Sequence, residues 1–542
     1  MLKGRFKIML SRREIRYILA HKWIKKQSSS LSQRFLSSKV QEDARTREQW
    51  KSCVGLEIHA QIATKSKLFS NASTNFVSPL NSCITFFDCA TPGTLPVLNR
   101  KCVESAVLTA LALSCRLNEL SLFERKHYFY ADLPAGFQIT QQAQPIAVGG
   151  AIKFYVSGPR VQKAYSKSSK IKQIQLEQDS GKSLHNESTG RSLIDLNRAG
   201  IPLMEFVFEP DLVDGEEAAA LVKELAFTLQ LLGVCSGKME EGAFRVDANV
   251  SVSNRDGDLG VRTEIKNISS VRAVAAAVKY EINRHISILE AGGEMSNETC
   301  TWDAVKKRTV PMREKEEKED YRFMPETNLP SLRIHVREDL PNKNNLVDAV
   351  LLRQQLPELP EQIRLRLKNV FKIAPETIVA LMSDFELLRL FNRIIQKDER
   401  REPQLAAKFL VNFLLTFLYK HKLTIEFCAP HDDFIGQVID LLQDKSINLL
   451  IAMKVLDVLI TEPNKLPREI VEEHNWFLIS DEQLLEQMCL EVIEKNPKIV
   501  ALYKKGKTKV FKALIGEIAR NTKQCADMAA VAKIMERLLK SE

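Results

Sequence analysis

Glu57 and His59 stand two residues apart in the run Val54-Gly55-Leu56-Glu57-Ile58-His59-Ala60-Gln61-Ile62. The alternation of apolar and polar residues is that of a strand, which puts both side chains on one face, about 7 Å apart. Three further segments carry the same kind of polar face. Gln175-Leu176-Glu177-Gln178-Asp179 sets Glu177 beside Asp179, and Gly181-Lys182 follows. Arg245-Val246-Asp247-Ala248-Asn249 groups an arginine, a carboxylate and an amide, and Thr263-Glu264-Ile265-Lys266-Asn267 pairs Glu264 with Lys266. Taken alone, such a face reads first as a solvated sheet face; four together suit the lining of one cleft. Carboxylates with a histidine suit Mg²⁺ held by oxygen-rich ligands, and Lys and Arg suit the polyphosphate that Mg²⁺ accompanies. Gly181-Lys182-Ser183 and Gly506-Lys507-Thr508 resemble the end of a phosphate-binding loop. That loop needs a glycine five residues before its second one, where this chain has Leu176 and Ala501, so any ATP binding here would have to proceed without a P-loop. Tyr128 to Ile139 mixes aromatics with Asp, Pro and Gly; residue type alone favours an ordered core loop over a base-stacking platform. Met312 to Glu317, with Asp320-Tyr321-Arg322 after it, reads as a solvated helix face.

The elements that must position these residues change character along the chain. From Trp50 to about Val336 strands and helices interleave without a regular βαβ rhythm, which predicts an α+β domain with a mainly antiparallel sheet. Helices are expected at 101–115, at 216–232 after an Asp214 cap, and at 272–290 before Gly292-Gly293. Past Leu340, Pro341, Pro357 and Pro360 punctuate a polar segment. The remainder reads as all-α, with helices at 362–371, 375–398, 403–420, 433–443, 481–495 and 508–520, in two modules split near Cys428–Asp432. Lys504, Lys505, Lys507, Lys509 and Lys512 flank apolar positions at helical spacing, forming either a solubilising face or a phosphate-binding one.

The chain has 542 residues, a globular 44% hydrophobic composition and a net charge of +10. Residues 1–40 hold eleven of the 78 Lys and Arg and one of the 68 acids, so the rest is neutral and the basic balance says nothing about nucleic acid. A leader that is basic, acid-poor and Ser-rich has the marks of a mitochondrial transit peptide, expected over residues 1–46. No run of 18 apolar residues is present, which excludes a membrane-spanning helix. Ten cysteines without a CxxC spacing fit free thiols better than a disulfide framework.

Seven segments occur in the order of one known family. They are Val54–His59, Tyr128–Gln138, Leu176–Lys182, Asp195–Glu205 with Glu209-Pro210-Asp211, Met239–Gly242 through Asn249, Glu264–Asn267, and Asp320–Arg322 with Pro325-Glu326. From about residue 50 onward the chain resembles the B subunit of glutamyl-tRNA(Gln) amidotransferase, the GatB family, in its mitochondrial form. The resemblance implies a catalytic "cradle" domain at 47–340, a helical domain at 341–428 and a tRNA-binding helical tail domain at 429–542. It implies a mitochondrial matrix enzyme, a ligase that uses ATP and Mg²⁺. In it, ATP phosphorylates the γ-carboxylate of glutamate misacylated onto tRNA(Gln), and ammonia from a partner glutaminase displaces the phosphate. The implied partners are the amidase A subunit and the small C subunit in a heterotrimer, with Glu-tRNA(Gln) as substrate.

By the same resemblance Glu57, His59, Glu177, Asp179, Asp247 and Glu264 are candidate metal ligands. Lys182, Arg245 and Lys266 are the catalytic phosphate contacts, and Lys504, Lys505, Lys507 and Lys509 are the tRNA contacts. The family carries Glu-Glu-Asp where Glu177-Gln178-Asp179 stands and Tyr-Pro-Asp where Ala131 replaces the proline. Many members have two cysteine pairs for zinc; only Cys83 and Cys89 remain here, so no zinc is expected. A non-catalytic tRNA-binding scaffold is the alternative, and a ligase acting alone a third.

Overall fold

The computed structural model describes residues 50–541, apart from 159, 160, 162, 187, 255–258, 315–320 and 429. The basic leader at 1–46, the acidic and basic run at 315–319 and Asp320 lie outside the described residues. The chain divides into two compact units, one ending at Pro357 and the other beginning at Glu358.

The first unit is built on a ten-stranded sheet. Its principal strands are β1 (Trp50–Gln61), β2 (Tyr165–Gln178), β3 (Pro202–Phe208), β4 (Phe244–Asn254), β5 (Arg262–Ile268), β6 (Glu298–Asp303) and β7 (Arg308–Glu314). They lie in the order β7-β6-β5-β4-β1-β3-β2, and shorter strands at Ala147–Val148 and Arg116–Leu117 extend the β2 side. All these pairs are antiparallel except β5 with β6. Helices α1 (Arg100–Ala112), α2 (Gly215–Leu231) and α3 (Val271–Glu290) supply the cover. Asp214 caps α2 by accepting from the Glu217 N–H, and Ser270 caps α3 through Ala273, each satisfying a donor left open in the first turn.

One face of the sheet is apolar. Val54, Leu56, Ile58 and Ala60 of β1, Met204 and Phe206 of β3, and Phe244, Val246, Ala248 and Val250 of β4 are buried in a core completed by Val107, Leu221, Leu225 and Val278 of the helices. At about 1.5–3 kcal/mol for each large apolar side chain buried, this face fixes the register, since a slip of one residue would turn every such side chain outward. The same alternation presents the opposite face as polar. The expected α+β class with a mainly antiparallel sheet is what is observed. Residues Met312–Glu314, expected on a helix, end β7.

The second unit is helical throughout its described residues. Its helices include α4 (Phe385–Lys397), α5 (Asp432–Gln443), α6 (Leu449–Thr461), α7 (Pro467–Glu473), α8 (Glu482–Lys495), α9 (Pro497–Lys504), α10 (Phe511–Asn521) and α11 (Met528–Ser541). The single helix expected over 375–398 is two, because Asp384 caps α4 through the Glu386 and Leu387 N–H groups and ends the helix before it. Contacts cross the position near 428. Asp432 pairs with Arg393 at 2.9 Å and Lys397 at 3.0 Å, and Arg401 grips Asp440 with two hydrogen bonds of 2.7 and 2.8 Å. Gly436 makes room for that guanidinium, whose atoms stand 2.5–2.8 Å from where a Cβ would be. A separate core of Leu485, Val492, Leu514, Ile518, Val531 and Met535 joins α8, α10 and α11.

Candidate functional site

The polar face is a row of side chains set by strand register. His59 lies opposite Glu205 of β3 on one side and Arg245 of β4 on the other. Glu205 lies opposite Gln175 of β2, and Glu57 opposite Asp247. Directly paired residues share a face, so the four polar segments of the sequence do converge.

At the centre, His59 Nε2 stands 3.6 Å from Glu177 Oε1 and 3.8 Å from Glu205 Oε2. One ligand atom from each of the three falls within 4.8 Å of the others. The surrounding amides hold the carboxylates in place. Gln138 Nε2 donates to Glu177 Oε1 at 2.8 Å and to the Gln178 carbonyl at 2.5 Å, while Gln175 Nε2 donates to Glu205 Oε2 at 2.6 Å. Tyr128 donates its hydroxyl to Gln138 Oε1 at 3.0 Å, which fixes the orientation of that amide.

The electrostatics of the triad are mutual. Burial works against the His59 charge, but Glu205 and Glu177 outweigh it and lift the imidazole to about 9. Burial and the charge of Glu177 push Glu205 upward, so it is the carboxylate that holds a proton more readily. Burial also disfavours the Glu177 anion, yet Lys126 and His59 prevail and hold it below the usual carboxylate range. Lys126 is itself kept charged against its burial by Glu177 and Glu205. Its Nζ lies 5.0 Å from the Tyr321 ring centroid, a cation–π contact.

Around this centre the other acids are engaged by cations. Arg245 Nη2 donates to Asp179 Oδ2 at 2.9 Å, and Arg198 Nε reaches the same oxygen at 3.6 Å. Lys266 Nζ lies 2.9 Å from Glu264 and 3.6 Å from Asp247. Asp247 and Glu264, with burial working the other way, keep that ammonium strongly protonated. Glu57 accepts from Asn249 Nδ2 at 3.0 Å. Lys182 opens the hairpin Lys182–Asn186/Arg191–Asp195 with its side chain exposed, opposite Asp195 and off this sheet.

Of the six carboxylate and histidine candidates, His59 and Glu177 thus share one potential ligand set, and its third member is Glu205. Asp179, Asp247 and Glu264 form ion pairs flanking that set, and Glu57 is amide-bound beside it. Glu205 and Lys126 do not stand out in the sequence. Their signals are a lone acid in the apolar run Leu203-Met204-Glu205-Phe206-Val207 and a lysine at the edge of the aromatic segment. Gln178 alternates to the other face of β2 from Glu177, so its side chain is directed away from the triad.

A divalent cation fits this donor set. Two carboxylates and one imidazole converge, and Glu177 Oε2 is buried without a hydrogen-bond partner, although such groups are normally satisfied. Asn249 Oδ1 and Arg245 Nε are likewise buried and unpartnered nearby. A second group, Glu281, Glu298 and Cys300, also lies within 4.8 Å, but Arg284 fills it. Arg284 Nη2 lies 2.6 Å from Glu281 Oε1 and also pairs with Glu298, and burial pushes the Cys300 thiol up to about 12. Cys83 and Cys89 belong to a loop where buried Lys67 meets Asp88 at 3.4 Å.

The tail lysines lie around a turn, not along one helix. Lys504 ends α9, Gly506 turns the chain with φ +83°, and Lys507 and Lys509 precede α10. All five, Lys512 included, are exposed, and none forms an ion pair among the described residues.

The family model described as the GatB/GatE catalytic domain matches residues 52–338, and the one described as the GatB domain matches residues 389–539. A relative from Aedes aegypti, named as the mitochondrial B subunit of glutamyl-tRNA(Gln) amidotransferase, is 51% identical over 494 residues, covering 91% of this chain and 93% of the relative. One of the same name from Homo sapiens is 44% identical over 515 residues, covering 94% of this chain and 92% of the relative. The B subunit of an aspartyl/glutamyl-tRNA(Asn/Gln) amidotransferase from Orientia tsutsugamushi is 37% identical over 493 residues, covering 91% of this chain and 98% of the relative.

Proposed function

The chain belongs to the GatB family of amidotransferase subunits, and we propose that the polar face of its sheet carries the ATP-dependent activation of glutamate on tRNA(Gln). It is a B subunit of a multi-subunit, mitochondrial tRNA-dependent amidotransferase. Its proposed partners are a glutaminase, the amidase A subunit, which supplies ammonia, and the small C subunit. In the proposed division of the chain, residues 47–340 act on the substrate, 341–428 form a helical domain and 429–542 hold the tRNA.

A carboxylate is a poor electrophile, and phosphorylation by ATP supplies the leaving group that ammonia then displaces. Mg²⁺, when bound by His59, Glu177 and Glu205, supplies positive charge to the phosphate oxygens. Gln138 and Gln175 orient the two carboxylates so that little reorganisation is needed. Arg245 and Lys266, positioned by Asp179, Asp247 and Glu264, place fixed positive charge along the row where phosphate oxygens gain negative charge. Lys182 reaches out from its hairpin as a phosphate contact at the open side.

The observation that carries this reading is the unpartnered, buried Glu177 Oε2 beside His59 and Glu205. The test is the reconstituted complex, assayed for Glu-tRNA(Gln)-dependent ATP hydrolysis and for amidation. His59→Ala and Glu205→Gln are expected to lower both rates by roughly a hundredfold or more with the subunits still assembled. Unchanged rates in both variants would leave the chain as a tRNA-binding scaffold.

A further inference from the structure

The turn from Tyr128 to Gly136 leaves two aromatic rings uncovered next to the triad. Phe129 is 87% exposed and Tyr130 57%, although rings of this size ordinarily gain burial. Both are nevertheless fixed. The Phe129 ring lies across Gly136, where an added Cβ would stand 3.1 Å from Cε1. The φ of +71° at that residue favours glycine. Tyr130 packs edge-on against Tyr128 with centroids 5.5 Å apart, and Tyr128 meets Tyr321 at 6.2 Å. Asp132 anchors the far side of the turn, its carbonyl accepting from the Gly181 N–H at 2.8 Å and its carboxylate from Ser183 Oγ at 3.1 Å. Through Tyr128 and Gln138 the turn is hydrogen-bonded to Glu177 itself.

Open rings on an anchored turn suit a single-stranded base, which stacks on one exposed face. The adenine of ATP is ordinarily enclosed in a concave pocket that covers most of its surface. In the reaction proposed above, the glutamate is esterified to the terminal adenosine of its tRNA. A γ-carboxyl placed at the triad therefore brings that adenosine to the triad's margin. Lys126, on the strand Glu124–His127 that leads into the turn, lies against Glu177, Glu205 and the Tyr321 ring and so ties the turn to the triad. Resting on that functional reading, the geometry points to Phe129 and Tyr130 as the stacking platform for the 3′-terminal adenosine of the acylated tRNA.

The test uses the assembled complex and a tRNA(Gln) whose terminal adenosine is replaced by 2-aminopurine. Binding is expected to quench the fluorescence of that base with the wild type and with Phe129→Trp, and not with the Phe129→Ala/Tyr130→Ala double variant. In turnover, the double variant is expected to raise KM for Glu-tRNA(Gln) about tenfold, with kcat and KM for ATP unchanged and Phe129→Trp restoring the wild-type value. Unaltered quenching in the double variant would overturn the platform. So would a rise in KM for ATP instead, which would assign the rings to the adenine of ATP, or loss of assembly, which would assign them to a protein partner. Quenching does not require chemistry, so the platform is judged separately from the proposed activity.

Discussion

Metal and proton compete for His59, and the competition has a calculable size. Coordination requires the neutral imidazole, whereas the two carboxylates hold this one protonated up to about pH 9. At pH 7 about two pH units separate the protein from that midpoint. Removing the proton then costs about 3 kcal/mol, a loss of apparent affinity on the order of a hundredfold. The apparent Kd for Mn²⁺, used as a paramagnetic stand-in for Mg²⁺, should fall about tenfold per pH unit between pH 7 and 9 and level off above that. Calorimetry at pH 7.5 in buffers of differing ionisation enthalpy should count about one proton released per metal. His59→Gln, which keeps an oxygen donor without a titrating proton, should flatten the pH dependence. A Kd constant between pH 7 and 9 in the wild type would refute the placement of the metal on His59.

Glu281→Gln should lower stability at pH 7 by about 3–5 kcal/mol, because it removes the anion from a buried pair with Arg284. Its folded pKa is depressed to about 2, against burial, by His285, Arg284 and Thr309. The stabilisation is therefore present above about pH 4.5 and lost as pH falls toward 2. Urea midpoints for wild type and variant should converge over that range, and equal midpoints at pH 7 would contradict the pairing. Gln178→Glu should leave Mn²⁺ affinity unchanged and lower thermal stability, since it adds a buried carboxylate on the face away from the triad; a tighter Kd would show that its side chain reaches the metal. Replacing Lys504, Lys505, Lys507 and Lys509 together by Ala should raise KM for Glu-tRNA(Gln) at nearly constant kcat. The slope of log affinity against log salt should become shallower by roughly one unit, or slightly less, for each lysine in phosphate contact. A collapse of kcat at saturating tRNA would mean the tail does more than hold substrate.

The polar faces of β1, β2, β4 and β5 are legible because a two-residue period needs only local sequence. Which of those residues meet is not, because strand order is set by long-range pairing. β3 inserts between β1 and β2, and only this brings Glu205 between His59 and Gln175. Asp247 and Glu264 lie on the other side of β1, away from that insertion, and are left to Lys266. Caps at Asp214 and Ser270 can be anticipated from residue type. The break before Asp384 is hidden because apolar spacing continues on both sides of it, and the cap outweighs that continuity. Asp179 is legible beside Glu177 in the sequence, but its engagement by Arg245 needs the register of β4.

The triad draws its members from residues 59, 177 and 205, and the cations beside it come from as far as residue 266. β1, β3 and β2 adjoin in that order and carry all three members, and β4 and β5 on the far side of β1 add Arg245 and Lys266. Without β3, His59 and Glu177 stand on strands that do not adjoin, and the ligand set is not assembled. Assembly of the site waits on pairings between strands distant in sequence, which are slow to form.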